Sequence, residues 1–389
     1  MLYQLSYGRH TAAKSWIGSV SNYASHFKRF AFRSFLGPPI SPSGGTTMPR
    51  VALILAVAIA GAASVHRGSH RSTLPPLTRA ALTGNNQDGL PYTSLDQYVR
   101  DLKATIPGRG SNAFIEPDPS EIDQFGSAMQ ALLTGDVDTA RQILDGVYYD
   151  LFVLNDESGK SYLVAQERAS PFRGQGTYIV DPQYARNAVI EVPHPLWDVN
   201  TPEEGVAIIQ ALEARALFIA GTHRCANPDT PSGCQGTTTS CDTGSIPVRI
   251  SDAPHFTRNF MYAAHGATLQ LVPAALSLNI HGNTAEPYGI QISDGTRVHS
   301  DEAPLVNRLR FALRDRVGGD AGSCNWADDN LQPRNLCGTD NVQGRLSNGS
   351  LEPCTQGADG PSGLFLHIEQ HRYYRDNPGA LIDALLEVL

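Results

Sequence analysis

From Gly176 to Ile368 the chain alternates short apolar runs with stretches of helical period, and this alternation restricts it to an α/β fold. Gly176 to Val180, Ala188 to Val192, Ala216 to Ala220, Leu276 to Ile280 and Gly363 to Ile368 read as buried strands, each short and apolar. Pro202 to Arg215 with Thr201 as N-cap, Ala303 to Asp315, and Pro378 to Val388 read as helices. Such units pack as a central, mostly parallel or mixed sheet flanked by helices, with the active site beyond the carboxyl ends of the strands.

Upstream, Tyr149 to Leu154 and Ser161 to Gln166 flank the turn Asn155-Asp156-Glu157-Ser158-Gly159 and predict a hairpin. Leu95 to Ile106 with Ser94 as N-cap, Ser120 to Leu133, and Asp136 to Leu144 predict a small N-terminal helical layer. The division expected is a helical preface over 92–147 and an α/β catalytic domain over 148–389. Residues 67–91, rich in Ser, Thr, Pro, Gly and Asn, read as a linker.

No acidic residue precedes Asp88. Met48-Pro49-Arg50 leads into an apolar run from Val51 to Val65 that contains Gly61-Ala62-Ala63-Ser64, the pattern of a signal peptide over 48–66. Residues 1–47 are then an upstream extension. A mitochondrial presequence and an uncleaved anchor are the rival readings, and the run is short for a membrane span. The six cysteines all lie beyond this segment without a CxxC pair, which favours disulfides and secretion over a cysteine zinc site. Their pairing is open. The net charge of −8 and the lack of a basic, aromatic segment argue against nucleic acid as a partner.

The segment Ala188-Val-Ile-Glu-Val-Pro-His194-Pro-Leu-Trp-Asp198 brings an imidazole to a strand end and a carboxylate onto the short, stiff loop after it. A zinc ion needs such groups converging within about 2.2 Å of one point. Leu276-Ser-Leu-Asn-Ile-His281-Gly282 repeats the strand ending in histidine, and its glycine would let the backbone approach a ligand closely. In Gly363-Leu-Phe-Leu-His367-Ile-Glu369-Gln-His371-Arg372, alternation points His367, Glu369 and His371 to one side. That places a carboxylate where it can activate water.

In this order the motifs resemble the zinc carboxypeptidase-like superfamily, including its poly-γ-glutamate hydrolase and N-formylglutamate amidohydrolase-like branches. The resemblance runs from about Ala188 to Arg372. It implies a zinc cofactor held by His194, Asp198 and His281, with Glu369 as general base. The activity implied is hydrolysis of an amide bond in a peptide-like or acyl-amino-acid substrate. Two features depart from the family: His-x-x-x-Asp replaces His-x-x-Glu, and the Arg and Asn residues that grip a terminal carboxylate have no clear match.

Arg224, in Ile219-Ala-Gly-Thr-His223-Arg224, follows a strand and is placed either to stabilise an oxyanion or to form a structural ion pair. His223 is an alternative ligand or a substrate contact, and Arg372 a further substrate contact. His255 and His265 read as residues behind the site or on a substrate loop, with Asp252 orienting one of them. His367 and His371 read as packing beside Glu369, and Tyr288 as a phenol over the site or a surface aromatic. A serine hydrolase would need a Gly-x-Ser-x-Gly elbow that the α/β region lacks. The remaining alternative is a secreted, non-catalytic binding protein of the same fold with a degenerate metal site, which turns on whether Asp198 reaches the ion. The sequence leaves the oligomeric state open.

Overall fold

The apolar runs are brought together in one nine-stranded mixed sheet. The computed structural model describes residues 94–284, 287–299, 304–327, 329 and 336–389. The expected extension 1–47, signal peptide 48–66 and linker 67–91 lie outside the described residues.

The strands are β1 (Tyr149–Asn155), β2 (Ser161–Glu167), β3 (Thr177–Val180), β4 (Arg186–Val192), β5 (Ala214–Ile219), β6 (Thr237–Thr238), β7 (Ile246–Pro247), β8 (Leu276–Gly282), β9 (Ile290–Ser293), β10 (Ala321–Ser323) and β11 (Phe365–Gln370). Their order in the main sheet is β1-β2-β3-β5-β4-β8-β11-β9-β10, while β6 and β7 form a separate ribbon. β5, β4, β8 and β11 run parallel, so their carboxyl ends open on one edge. The hairpin β1–β2 and strand β3 add on antiparallel to one side, and β9 pairs antiparallel with β11 on the other.

The helices are α1 (Leu95–Thr105), α2 (Pro119–Thr134), α3 (Val137–Gly146), α4 (Thr201–Leu212), α5 (Phe260–Leu269), α6 (Leu305–Val317), α7 (Val342–Ser347), α8 (Arg372–Asp376) and α9 (Gly379–Val388). Ser94 caps α1, its hydroxyl accepting from the Gln97 N–H. Helices α2 and α3 pack on each other, while α1 lies on a different part of the core. Leu95, Tyr98 and Val99 of α1 join the core under α4, α6 and α9, whereas Phe125, Met129 and Leu132 of α2 and Leu144 of α3 join the core on α5.

Helix α4 ends at Leu212 instead of Arg215, because Glu213 takes a left-handed conformation (φ 47°) and the chain turns directly into β5. Its N-cap is Asn200, also left-handed, and Thr201 is the first helical residue. Helix α5 has no counterpart among the sequence expectations. Phe260, Met261, Ala264 and Ala267 are buried along one face, and the other face carries Tyr262, Ala263, Gly266 and Leu269, so it lacks the polar stripe that marks an amphipathic helix.

Strand alternation divides the chemistry from the core. In β8, Leu276, Leu278 and Ile280 enter one apolar cluster, as do Leu366 and Ile368 of β11. Each such side chain contributes roughly 1.5–3 kcal/mol by its burial. The alternate positions, Asn279 and His281 on β8 and His367 and Glu369 on β11, are buried as well, but on the opposite face. Buried polar groups persist only with partners, since each lost partner costs about 1–3 kcal/mol.

Candidate metal site

His194 leaves the carboxyl end of β4, and the Asp198 N–H donates to the His194 carbonyl at 2.9 Å. That single helical turn sets the two side chains on one side, four residues apart. With a His-x-x-x-Asp spacing, this turn brings both side chains to the same point. His281 arrives from the next strand, in register with Glu369 of β11. His281 therefore lies inside the strand pairing, one residue before the end of β8, not after the strand.

His194 Nδ1, Asp198 Oδ2 and His281 Nδ1 form a triangle with sides of 3.0, 3.2 and 3.2 Å. Ligand atoms around a tetrahedral ion with bonds near 2.0 Å are about 3.3 Å apart. Residue exposures are 2%, 3% and 4%, so bulk water does not separate the donors.

The far side of each ring fixes where its proton sits. His194 Nε2 is 2.7 Å from Asp252 Oδ1, and an ionised carboxylate only accepts. Burial would raise the Asp252 carboxyl, but Arg224, His255 and His194 hold it well below the usual carboxylate range. His281 Nε2 donates to Asn279 Oδ1 at 2.5 Å, the Asn279 amide nitrogen being turned to Glu191. In the neutral rings both Nδ1 atoms are thus lone pairs, facing each other and a carboxylate. Either a proton on an imidazolium His194 or a cation must lie among them. Burial pushes the His281 pKa down to about 4, against the hydrogen bond to Asp198, so this ring is neutral at neutral pH and available to a metal. Burial also works to raise Asp198, yet His194 and His281 hold it anionic. These three residues could hold a metal ion.

Glu369 is buried beside His281, with Oε1 3.7 Å from His367 Nε2. The His367 ring stacks tilted against His281, their centroids 4.6 Å apart, and burial holds its pKa well below the ordinary value. Arg224 Nη2 donates to Asp252 Oδ2 at 2.7 Å. Burial would lower its pKa, but Asp252, Asp198 and Glu369 keep it charged. Arg224 is therefore an ion-pair partner of Asp252 within electrostatic reach of the site.

His223 stays out of the triangle. Its Nδ1 accepts from the Cys225 N–H at 2.9 Å, and its ring meets the half-exposed Trp197 edge-on. Burial lowers its pKa to about 4, with His194 and Arg109 adding to the fall. Arg372 is not brought to the cluster: it is exposed at the start of α8 and pairs with Asp376. His371 lies beyond β11 as the N-cap residue of α8, so it leaves the face shared by His367 and Glu369. Tyr288 packs over Gly322 beside the Cys324–Cys337 bridge, away from the triangle.

Asp252 orients His194 as well as His255, whose Nδ1 is 3.4 Å from it; it is 58 residues from His194 in sequence, and no local motif marks the partnership. Asn279 was visible in Asn279-Ile280-His281, and its role follows from strand period, two residues from His281 on the same face.

Gly282 serves a different purpose from the one its sequence position suggests. A Cβ there would collide with Nη1 of Arg375, so the glycine admits a buried guanidinium, not a ligand. Gly282→Ala is expected to cost about 1–3 kcal/mol of stability by displacing Arg375. Urea unfolding of the two proteins measures this.

Beside Arg375, buried Glu204 accepts from Gln370 Nε2 at 2.6 Å. Burial raises its carboxyl from 4.5 to about 8, and Asp198 adds to the rise against Gln370 and Arg375. The folded state therefore keeps this proton longer than the unfolded chain. Stability from this group is full below the unfolded pKa and falls as pH rises toward about 8. Glu204→Gln removes that fall, so its stability relative to the parent is expected to increase from pH 5 to pH 8. A flat difference across unfolding curves in that range would contradict the assignment.

All six cysteines are paired, as Cys225–Cys241, Cys234–Cys354 and Cys324–Cys337. The first closes the loop that follows His223 and Arg224, and the second ties that loop to the segment before β11. Disulfides of this number suit an oxidising compartment. No helix among the described residues is long and apolar enough to cross a membrane. Compared with protein-family models, curated proteins and solved structures, the chain finds no match in any of the three.

Proposed function

We propose that the protein is a secreted zinc-dependent hydrolase that cleaves an amide bond in a peptide-like or acyl-amino-acid substrate. The observation that carries this reading is the triangle of His194 Nδ1, Asp198 Oδ2 and His281 Nδ1, closed to 3.0–3.2 Å with both remaining imidazole nitrogens committed elsewhere. Two neutral imidazoles and one carboxylate are a donor set of catalytic zinc sites, which leave a coordination position open. Asp198 reaches the triangle, which supports a complete donor set over a degenerate one.

A zinc ion held by these residues supplies Lewis-acid chemistry, polarising a carbonyl and lowering the pKa of water to about 7. The protein's own groups do the rest. Glu369, on the neighbouring strand in register with His281, takes the proton from the attacking water and hands it to the leaving nitrogen. Arg224 contributes positive charge toward an oxyanion while its other contact keeps Asp252 ionised behind His194. Burial of the cluster keeps competing water away from these charges.

The reading is tested on protein produced in an oxidising host, using a panel of N-acyl amino acids and γ-glutamyl and α-linked peptides. Turnover that a chelator abolishes and zinc restores is the expected result. A zinc-loaded protein that cleaves none of them would move the chain to the binding-protein alternative.

A further inference from the structure

Behind His281 a buried polar chain continues past Asn279. The Asn279 amide donates through Nδ2 to Glu191 Oε2 at 2.9 Å, directly across the β4–β8 pairing. Glu191 Oε1 lies 2.7 Å from His265 Nδ1 of α5, and His265 Nε2 lies 2.9 Å from Ser347 Oγ at the end of α7. Glu191, Asn279 and His265 are wholly buried. The sequence placed His265 behind the site or on a substrate loop, and gave Glu191 no role.

Ser347, His265 and Glu191 have the spacing of a nucleophile, a base and its orienting acid. The surroundings oppose that use. Ser347 closes its helix at the carbonyl end, where the partial charge repels an oxyanion. The N–H groups of Asn348, Gly349 and Ser350 are already taken by the carbonyls of Gly344, Leu346 and Arg345. No backbone donor from that turn is left to form an oxyanion hole.

The same contacts do have a directional effect on His281. An ionised Glu191 only accepts, so Asn279 must present its NH2 to it and its carbonyl oxygen to His281. The Asn341 amide donates to that oxygen at 3.1 Å and fixes the orientation a second time. An Asn279 oxygen facing His281 requires the proton on Nε2, which leaves Nδ1 as the lone pair in the triangle. We propose that Glu191 and His265 are positioning residues that act through Asn279 to lock His281 in the tautomer that can bind the metal. This rests on the metal-site reading above and extends it to residues that touch neither ion nor substrate.

Two measurements test it. In metal-free protein with ¹⁵N-labelled histidine, long-range proton–nitrogen correlation is expected to show His281 protonated on Nε2; protonation on Nδ1 overturns the proposal whether or not zinc binds. Zinc affinity is then measured by chelator competition. Glu191→Gln, which can offer an NH2 to Asn279 and reverse it, is expected to weaken zinc binding about 10–100-fold and to shift His281 partly to the Nδ1 form. His265→Leu weakens it by a smaller factor, and His265→Gln, which keeps an N–H for Glu191, restores it. Folded Glu191→Gln and His265→Leu proteins with parental affinity and tautomer overturn the proposal, as does labelling of Ser347 by a fluorophosphonate. Failure of the parent protein to bind zinc overturns the metal reading separately, because the tautomer is read without metal.

Discussion

His281→Ala is expected to strip the protein of its metal. The parent should carry about one zinc per chain, and the variant should fall at least a hundredfold in affinity, because even outer partners of a ligand are worth about 10–100-fold. The combined His194→Ala/His281→Ala protein should bind none. Elemental analysis by mass spectrometry after dialysis measures both, and disulfide content shows that the variants have folded. The effect is large because His281 Nδ1 is one of only three atoms in the triangle and sits 3.2 Å from each of the others. His223 does not replace it without rearrangement, since its Nδ1 already accepts from a backbone N–H. Metal retained at the parental level in the double variant would remove the site.

Glu369→Gln should separate chemistry from metal binding. The amide has nearly the shape of the carboxylate but cannot take a proton from water, so turnover should fall by about 10²–10⁴, while zinc content stays at the parental level. Metal retention distinguishes this variant from the histidine variants. Activity close to that of the parent would dismiss Glu369 as the base and direct attention to another group.

The parts of this site that could be read from the sequence are those in which a strand period and a chemical motif coincide. His194, His281 and Glu369 each lie at or just beyond the end of an apolar run, and the parallel order β4-β8-β11 places those ends side by side. Asp198 was legible as a residue type, but the turn that lets it reach the triangle is set by one backbone hydrogen bond. The sequence does not show that bond. His371 was misplaced because alternation was carried past the end of β11, where the chain turns and it becomes the N-cap residue of α8. Asp252 was read only as orienting a neighbouring histidine; its pairing with His194 and Arg224 escaped because those residues come from the loops after β4 and β5, a pairing that only the folded chain creates. Helix α5, which supplies His265, was missed for the opposite reason: its less buried face carries Tyr262, Ala263, Gly266 and Leu269 instead of charged residues, which erases the periodic signal.

The triangle draws on the turn after β4 and on β8, adjacent members of the parallel sheet, with the proposed base on β11 next in order. An ion there would act as a rivet between chain segments more than eighty residues apart in sequence. Folding and metal uptake then share one free energy, and at a free zinc concentration a hundred times the dissociation constant the native state gains about 2.7 kcal/mol. Zinc supply would set how long the protein survives as well as how fast it works.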